Sequence, residues 1–115
     1  MISGINFEQG KILLANVPFT NLQETKKRPV LVISNDEFNN SSEDIIVLSI
    51  TSNLTNKVYS VPIDNSSLSN GQLPRASLVK VNHIWSLSKT IVTMEIGSVK
   101  STVLTSVITE LVNLL

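Results

Sequence analysis

The 115 residues predict a mainly β fold, a small and partly open β-barrel with one α-helix at its C-terminal end. Three observations carry that fold class. Short β-branched or aliphatic runs of strand length recur from Lys11 to Ile96, nothing with helical spacing separates them, and the apolar period changes at Ser101. Intervening helices, as βαβ units require, are missing from the pattern.

Lys11–Val17 (KILLANV) is apolar enough for a buried strand, and Pro18 ends it by removing a backbone donor. Residues 18–27 then read as a polar loop. Pro29–Ser34 (PVLVIS) is β-branched, stops at the turn-prone pair Asn35-Asp36, and tolerates Pro29 at a strand's first position. After a loop over Asn39–Asp44 comes Ile45–Thr51 (IIVLSIT), a continuous apolar run. It delivers Thr51, Ser52 and Asn53 into a polar turn. Val58–Ile63 contains Pro62 and is an edge strand, and Asn65–Pro74 is a loop of Ser, Asn and Gly.

Ser77–Trp85 (SLVKVNHIW) alternates, which sets Val79, Val81, His83 and Trp85 on one face and Leu78, Lys80, Asn82 and Ile84 on the other. Ile91–Ile96 is a last short strand closed by Gly97. From Ser101, a candidate N-cap, the residues Val103, Leu104, Val107, Ile108, Leu111, Val112, Leu114 and Leu115 recur at helical spacing. A helix of about 14 residues would span ~21 Å. Its Thr and Val content makes it depend on packing rather than on intrinsic propensity.

At this length the chain reads as a single domain, 1–115, with room for one closed core. Hydrophobic residues make up 42% and charged residues only 16%, which excludes a disordered chain and leaves apolar surface for a partner to cover. Nine basic and nine acidic residues cancel, so no overall field draws the chain to nucleic acid or to an anionic membrane. The distribution is less even: residues 29–44 carry −4, whereas residues 45–89 carry Lys57, Arg75, Lys80 and Lys89 against Asp64 alone. Folding that brings Lys26, Lys27 and Arg28 beside the second group would create a basic face. Cysteine is absent, Met1–Gly10 lacks the basic and apolar regions of a signal peptide, and no apolar run approaches membrane-spanning length. The expected location is the cytoplasm, with no membrane partner.

No Gly-rich phosphate loop, histidine pair at metal spacing or Ser-His-acid set is present, so neither a metal nor another cofactor is expected. The single His83 lies on the apolar parity of its strand and reads as a structural histidine. Trp85, on the same parity, reads as core. What stands out is where strands end. Arg28 begins one strand and Thr51 leaves another, so both could reach one rim of a small barrel. A guanidinium offers a planar fork of donors to two phosphate oxygens, and a hydroxyl can donate to a third. Such a pair suits a phosphodiester.

Gly10 with KILLANVPFTNLQETKKRPVLVISND, then DIIVLSITSN, then SLVKVNHIWSLSKTIVTMEIGSV resemble the successive blocks of the MazF/PemK toxins of type II toxin-antitoxin modules. The resemblance runs from about Phe7 into the C-terminal helix, and its most specific part is the basic loop, Arg28-Pro29 and apolar strand, with Ile50-Thr51-Ser52 further on. It implies an SH3-like barrel with a C-terminal helix, a homodimer, and ribosome-independent cleavage of single-stranded RNA at short sequences. Attack by the ribose 2′-OH leaves a cyclic phosphate and a 5′-OH, without a metal. Carried over residue by residue, the essential arginine falls on Arg28 and the essential threonine on Thr51. Lys26, Lys27 and Lys80 would contact the RNA backbone, and Thr20, Ser52, Asn53 and Asn82 would position RNA or touch base edges.

The resemblance also implies a cognate antitoxin, with DNA reached only through it. Two departures stand out: Gly10-Lys11 where many relatives have Gly-Asp, and Asn82 where some have an acid with a proton-transfer role. Two other readings stay open. One is the related CcdB-like fold, which binds gyrase without cutting RNA; the other is a cleavage-deficient relative that binds RNA or antitoxin. Arg28 and Thr51 argue against the first, Asn82 for the second.

Overall fold

The computed structural model of the chain describes residues 4–18 and 25–115. Among these residues seven strands, β1 (Lys11–Pro18), β2 (Thr25–Val32), β3 (Asp44–Thr51), β4 (Ser60–Ile63), β5 (Leu68–Gly71), β6 (Ser77–Ser88) and β7 (Val92–Val99), form one antiparallel sheet in the order β4-β6-β3-β2-β1-β7-β5. The sheet curls into a half-barrel with β4 and β5 at its two open edges, as expected for β4 from its exposed Pro62. Helix α1 (Asp36–Ser41) follows β2, and helix α2 (Ser101–Leu114) ends the chain. Among the described residues no helix is long and apolar enough to cross a membrane.

The strands are continuously apolar because the sheet is covered on both faces. On one face Ile12, Leu31, Leu48, Ile50, Val79 and Val81 lie beneath α2, whose Val107 is fully buried and whose Val103, Leu104, Leu111 and Leu114 pack against that layer. On the other face Leu13, Ala15, Val30, Val32, Val47 and Leu87 form a second layer, with Phe7, Trp85 and Ile91 partly covering it. Helix α2 thus acquires its stability from one apolar side, as its composition requires. Val112 and Leu115 point elsewhere, 62% and 91% exposed. Ser101 is the first helical residue rather than the cap, which is Lys100 in extended backbone without a side-chain hydrogen bond.

Three elements differ from the sequence reading. Helix α1 replaces part of an expected turn and loop: the Asn35 side chain accepts from the Phe38 N–H at 2.8 Å, and Asp36 and Glu37 occupy the first turn. Buried Asn39 then ties α1 down, donating to Phe7 O at 2.7 Å and Ser34 O at 2.9 Å. Strand β5 emerges within an expected loop because it pairs with β7 at unusually close backbone approach. A Cβ on Gly97 would lie 2.4 Å from Asn70 O, and one on Gly71, whose φ is +81°, 2.1 Å from Ile96 O. Finally, β2 begins at Thr25, so Lys26 and Lys27 are strand residues opposite Val17 and Asn16, not loop cations, and Arg28, opposite Ala15, stands inside the strand rather than at its entrance.

Candidate functional site

The second apolar layer runs out toward one end of the sheet, and polar side chains take its place there. On β2 the parity of Val32 and Val30 continues to Arg28; on β3 that of Ile45 and Val47 continues to Ser49 and Thr51. The β2–β3 ladder pairs Val32 with Val47 and Val30 with Ser49, while Pro29 lies just outside it. Extending that antiparallel register by two residues sets Arg28 opposite Thr51. Arg28 is half-buried, and so is Thr51. Neighbouring strands therefore bring the two together, although 23 positions separate them in sequence.

Strand β6 completes the site through a break in its register. It pairs Leu48 with Ile84 and then Ser49 with Lys80, leaving Val81, Asn82 and His83 without counterparts on β3. An odd number of extra residues inverts the alternation. Val79 and Val81 belong to the layer under α2, whereas Trp85 and Leu87 belong to the opposite layer, the one that leads to Arg28. This overturns the reading of His83 and Trp85 as partners of Val79 and Val81 on one face. His83 is exposed, not a buried structural histidine, and Trp85 is half-buried with its indole N–H donating to Ser49 Oγ at 2.7 Å.

The result is a cleft of about 380 Å³. Arg28 and Thr51 line it from β2 and β3, and Lys80, Asn82, His83 and Trp85 line it from β6. Asn53, Thr55 and Asn56 close it from the β3–β4 loop. Thr51 Oγ accepts from the Asn53 N–H at 3.1 Å, which leaves its own proton for an acceptor in the cleft. Asn53 Oδ1 accepts from the Thr55 N–H at 3.1 Å and the Thr55 hydroxyl at 2.7 Å, so its oxygen is engaged within the loop and its NH2 is the group that can donate to a ligand. Lys80 is only 6% exposed, and its ammonium donates to Asn56 O at 2.9 Å and Val58 O at 3.3 Å. Two of its three protons hold the loop, and one remains.

A second cleft, about 230 Å³, opens on the other side of Arg28. Lys26, Lys27, Ser52 and Arg75 surround it, with Ile50 and Leu73 in its floor, and among the described residues no acid lines it. The expected basic face therefore forms in part. Lys89 is not in it: its ammonium lies 5.2 Å over the Phe7 ring and donates to Asn39 O, beside α1. Of the residues singled out from the sequence, Arg28, Thr51, Asn53, Lys80 and Asn82 line the first cleft and Lys26, Lys27 and Ser52 the second; Thr20 lies outside the described residues. Sequence reading missed Thr55, Asn56 and His83. The polar run after Thr51 was a usable signal for the first two, but the register break that exposes His83 has none. Among the described residues no three His, Cys, Asp or Glu side chains cluster as metal ligands.

Known proteins share this fold. Residues 8–115 match the family described as PemK-like, MazF-like toxin of type II toxin-antitoxin system. No curated protein sequence matches the chain significantly. Among solved structures, an endoribonuclease in complex with its cognate antitoxin, from a mycobacterial species, superposes with a TM-score of 0.75 at 18% identity, covering 92% of this chain and 91% of that one. A MazE–MazF structure from Deinococcus radiodurans gives 0.75 at 18% identity, covering 93% and 94%. The Mycobacterium tuberculosis toxin MazF-mt6 gives 0.70 at 17% identity, covering 90% and 93%. The half-barrel with its terminal helix is the fold these structures share.

Proposed function

The chain belongs to the PemK-like, MazF-like toxins of type II toxin-antitoxin systems, and from that membership we propose that it is an endoribonuclease cutting single-stranded RNA at short sequences. The observation that carries this reading is the cleft in which Arg28 and Thr51, from adjacent strands, face one space beside Lys80. In the proposed reaction the ribose 2′-OH attacks the adjacent phosphorus, giving a 2′,3′-cyclic phosphate and a 5′-OH without a metal. The phosphorane gains negative charge, which the Arg28 fork and the Thr51 hydroxyl stabilise as preorganised donors. A guanidinium keeps its proton near neutral pH, so Arg28 orients and stabilises rather than acting as a base.

Lys26, Lys27 and the remaining proton of Lys80 contact RNA phosphates, making binding fall with salt. Asn53, Asn82, Ser52 and Thr20 position nucleotides or read base edges. In this reading the protein works in the cytoplasm as a homodimer, and a cognate antitoxin segment silences it by occupying the RNA groove. The mycobacterial endoribonuclease bound to its cognate antitoxin and the Deinococcus MazE–MazF complex support the antitoxin part. The test is incubation of purified protein with a long RNA in EDTA, followed by mapping of the ends. Cyclic phosphate and 5′-OH termini at recurring short sequences are expected; intact RNA refutes the reading. Asn82, an amide where an acid would serve proton transfer, favours a second reading as a cleavage-deficient RNA-binding relative, and the same assay separates the two.

A further inference from the structure

The reaction just proposed has no proton carrier: a guanidinium and an ammonium stay charged near neutral pH, and neither an amide nor an aliphatic hydroxyl ionises there. We propose that His83 fills this role, as the general base that takes the proton of the attacking 2′-OH. The proposal rests on the ribonuclease reading and deepens it.

Three observations carry it. The unmatched segment Val81–His83 bulges from the β3–β6 ladder and turns His83 away from the face that strict alternation assigns to it. His83 is exposed, yet lines the same cleft as Arg28 and Thr51. Among the described residues no carboxylate lines that cleft, and imidazole is the side chain whose ordinary titration falls between pH 5 and 8. The charged groups that line the cleft with His83 are Arg28 from β2 and Lys80 from its own strand; β1, β3 and the β3–β4 loop contribute only neutral residues.

The step balances. An imidazole nitrogen accepts the 2′-OH proton as the O2′–P bond forms. The P–O5′ bond then breaks with its electron pair on O5′, which takes a proton from water, and the imidazolium returns its proton to the resulting hydroxide. Asn82, next to His83 and unable to carry a proton, is left to donate hydrogen bonds to the nucleotide. The imidazole thus replaces in this chain the acid that Asn82 displaces.

Single-turnover cleavage of a long RNA in EDTA, from pH 5 to 9, tests this. Wild type should show a rate that rises with pH and levels off through the imidazole range. His83→Ala should be about 100-fold to 10,000-fold slower, with the histidine-dependent inflection gone. Added imidazole should restore part of the rate to His83→Ala but none to Arg28→Ala. Because His83 is exposed and outside the ladder, folding of the variant is expected and is checked by its melting curve and Trp85 emission. A folded His83→Ala with wild-type rate and pH profile, or without rescue by imidazole, overturns the role of His83 while leaving the ribonuclease reading standing. Wild-type protein that leaves RNA intact overturns both.

Discussion

Lys80→Met tests the tether of the β3–β4 loop through stability, a readout that needs no RNA. Methionine keeps the apolar stem of a side chain that is 6% exposed but deletes the ammonium bonded to Asn56 O at 2.9 Å and Val58 O at 3.3 Å. Hydrogen bonds to a charged group contribute about 1.5–3 kcal/mol each. Against their loss stands relief from burying an ammonium, itself several kcal/mol in magnitude. Asn56 and Val58 are exposed, so water can take over both carbonyls once the loop shifts. A net loss of ~2 kcal/mol is the expected balance. Unfolding entropy near 2.1 cal/mol/K per residue over 115 residues is about 0.24 kcal/mol/K, so the Tm should fall by about 8 °C. Thermal unfolding measures that fall, and amide hydrogen exchange should show residues 52–59 losing protection well before the strands do. A Tm within about 2 °C of wild type together with unchanged exchange in that loop would refute the claim that Lys80 holds it.

Other outcomes follow from the same structure. Arg28→Ala should lower the cleavage rate by about 100-fold to 1,000-fold with an unchanged melting curve, and Thr51→Ala by less; equal rates in a folded Arg28→Ala protein would remove Arg28 from the chemistry. Lys26→Ala with Lys27→Ala should weaken RNA binding and flatten its dependence on log salt by roughly 1.4, about 0.7 for each phosphate no longer neutralised, as titration at several salt concentrations would reveal. Gly97→Ala should detach β5 from β7, since the new methyl meets backbone at 2.4 Å, and limited proteolysis near residues 68–71 is the readout. Asp64 caps the 3₁₀ turn Asn65–Ser67, and hydrogen bonds from the Ser66 hydroxyl and backbone hold its carboxyl below the ordinary value of 3.8. A depressed folded-state pKa stabilises above 3.8 and ceases to do so as pH falls through the lower folded value. Melting curves between about pH 5 and 2 should therefore show an acid-side loss that is smaller in Asp64→Asn.

Much of this architecture is legible in the residues, and the exceptions have physical causes. The runs KILLANV, VLVI and IIVLSI mark strands buried on both sides, and the period change at Ser101 marks α2. Strand β5 escapes such reading because its four residues, LSNG, have little strand propensity; what fixes them is a glycine opposite each backbone. Helix α1 is polar and short, though Asn35 followed by Asp36 and Glu37 is a usable start signal. At the site, Thr51 is legible as a strand end with the right chemistry, and Arg28 by its chemistry, although it lies inside β2 rather than at its start. His83 is not, because period-2 alternation holds only while two strands stay in register, and the β3–β6 pair does not.

That break in β6 divides one strand into two parts with different tolerances to mutation. Ser77–Val81 is buried throughout, and most substitutions there would disturb packing. Asn82, His83 and Ile84 are exposed, and the first two have no counterpart on β3 that a new side chain could clash with. The wall of the cleft can therefore change its chemistry, from carboxylate to amide to imidazole, with little effect on stability, usually within about 0.5 kcal/mol for exposed positions. Selection acting on which RNA is cut, or on whether RNA is cut at all, would meet little resistance from folding at these two positions. A lineage could thus diverge in target while its barrel stayed the same.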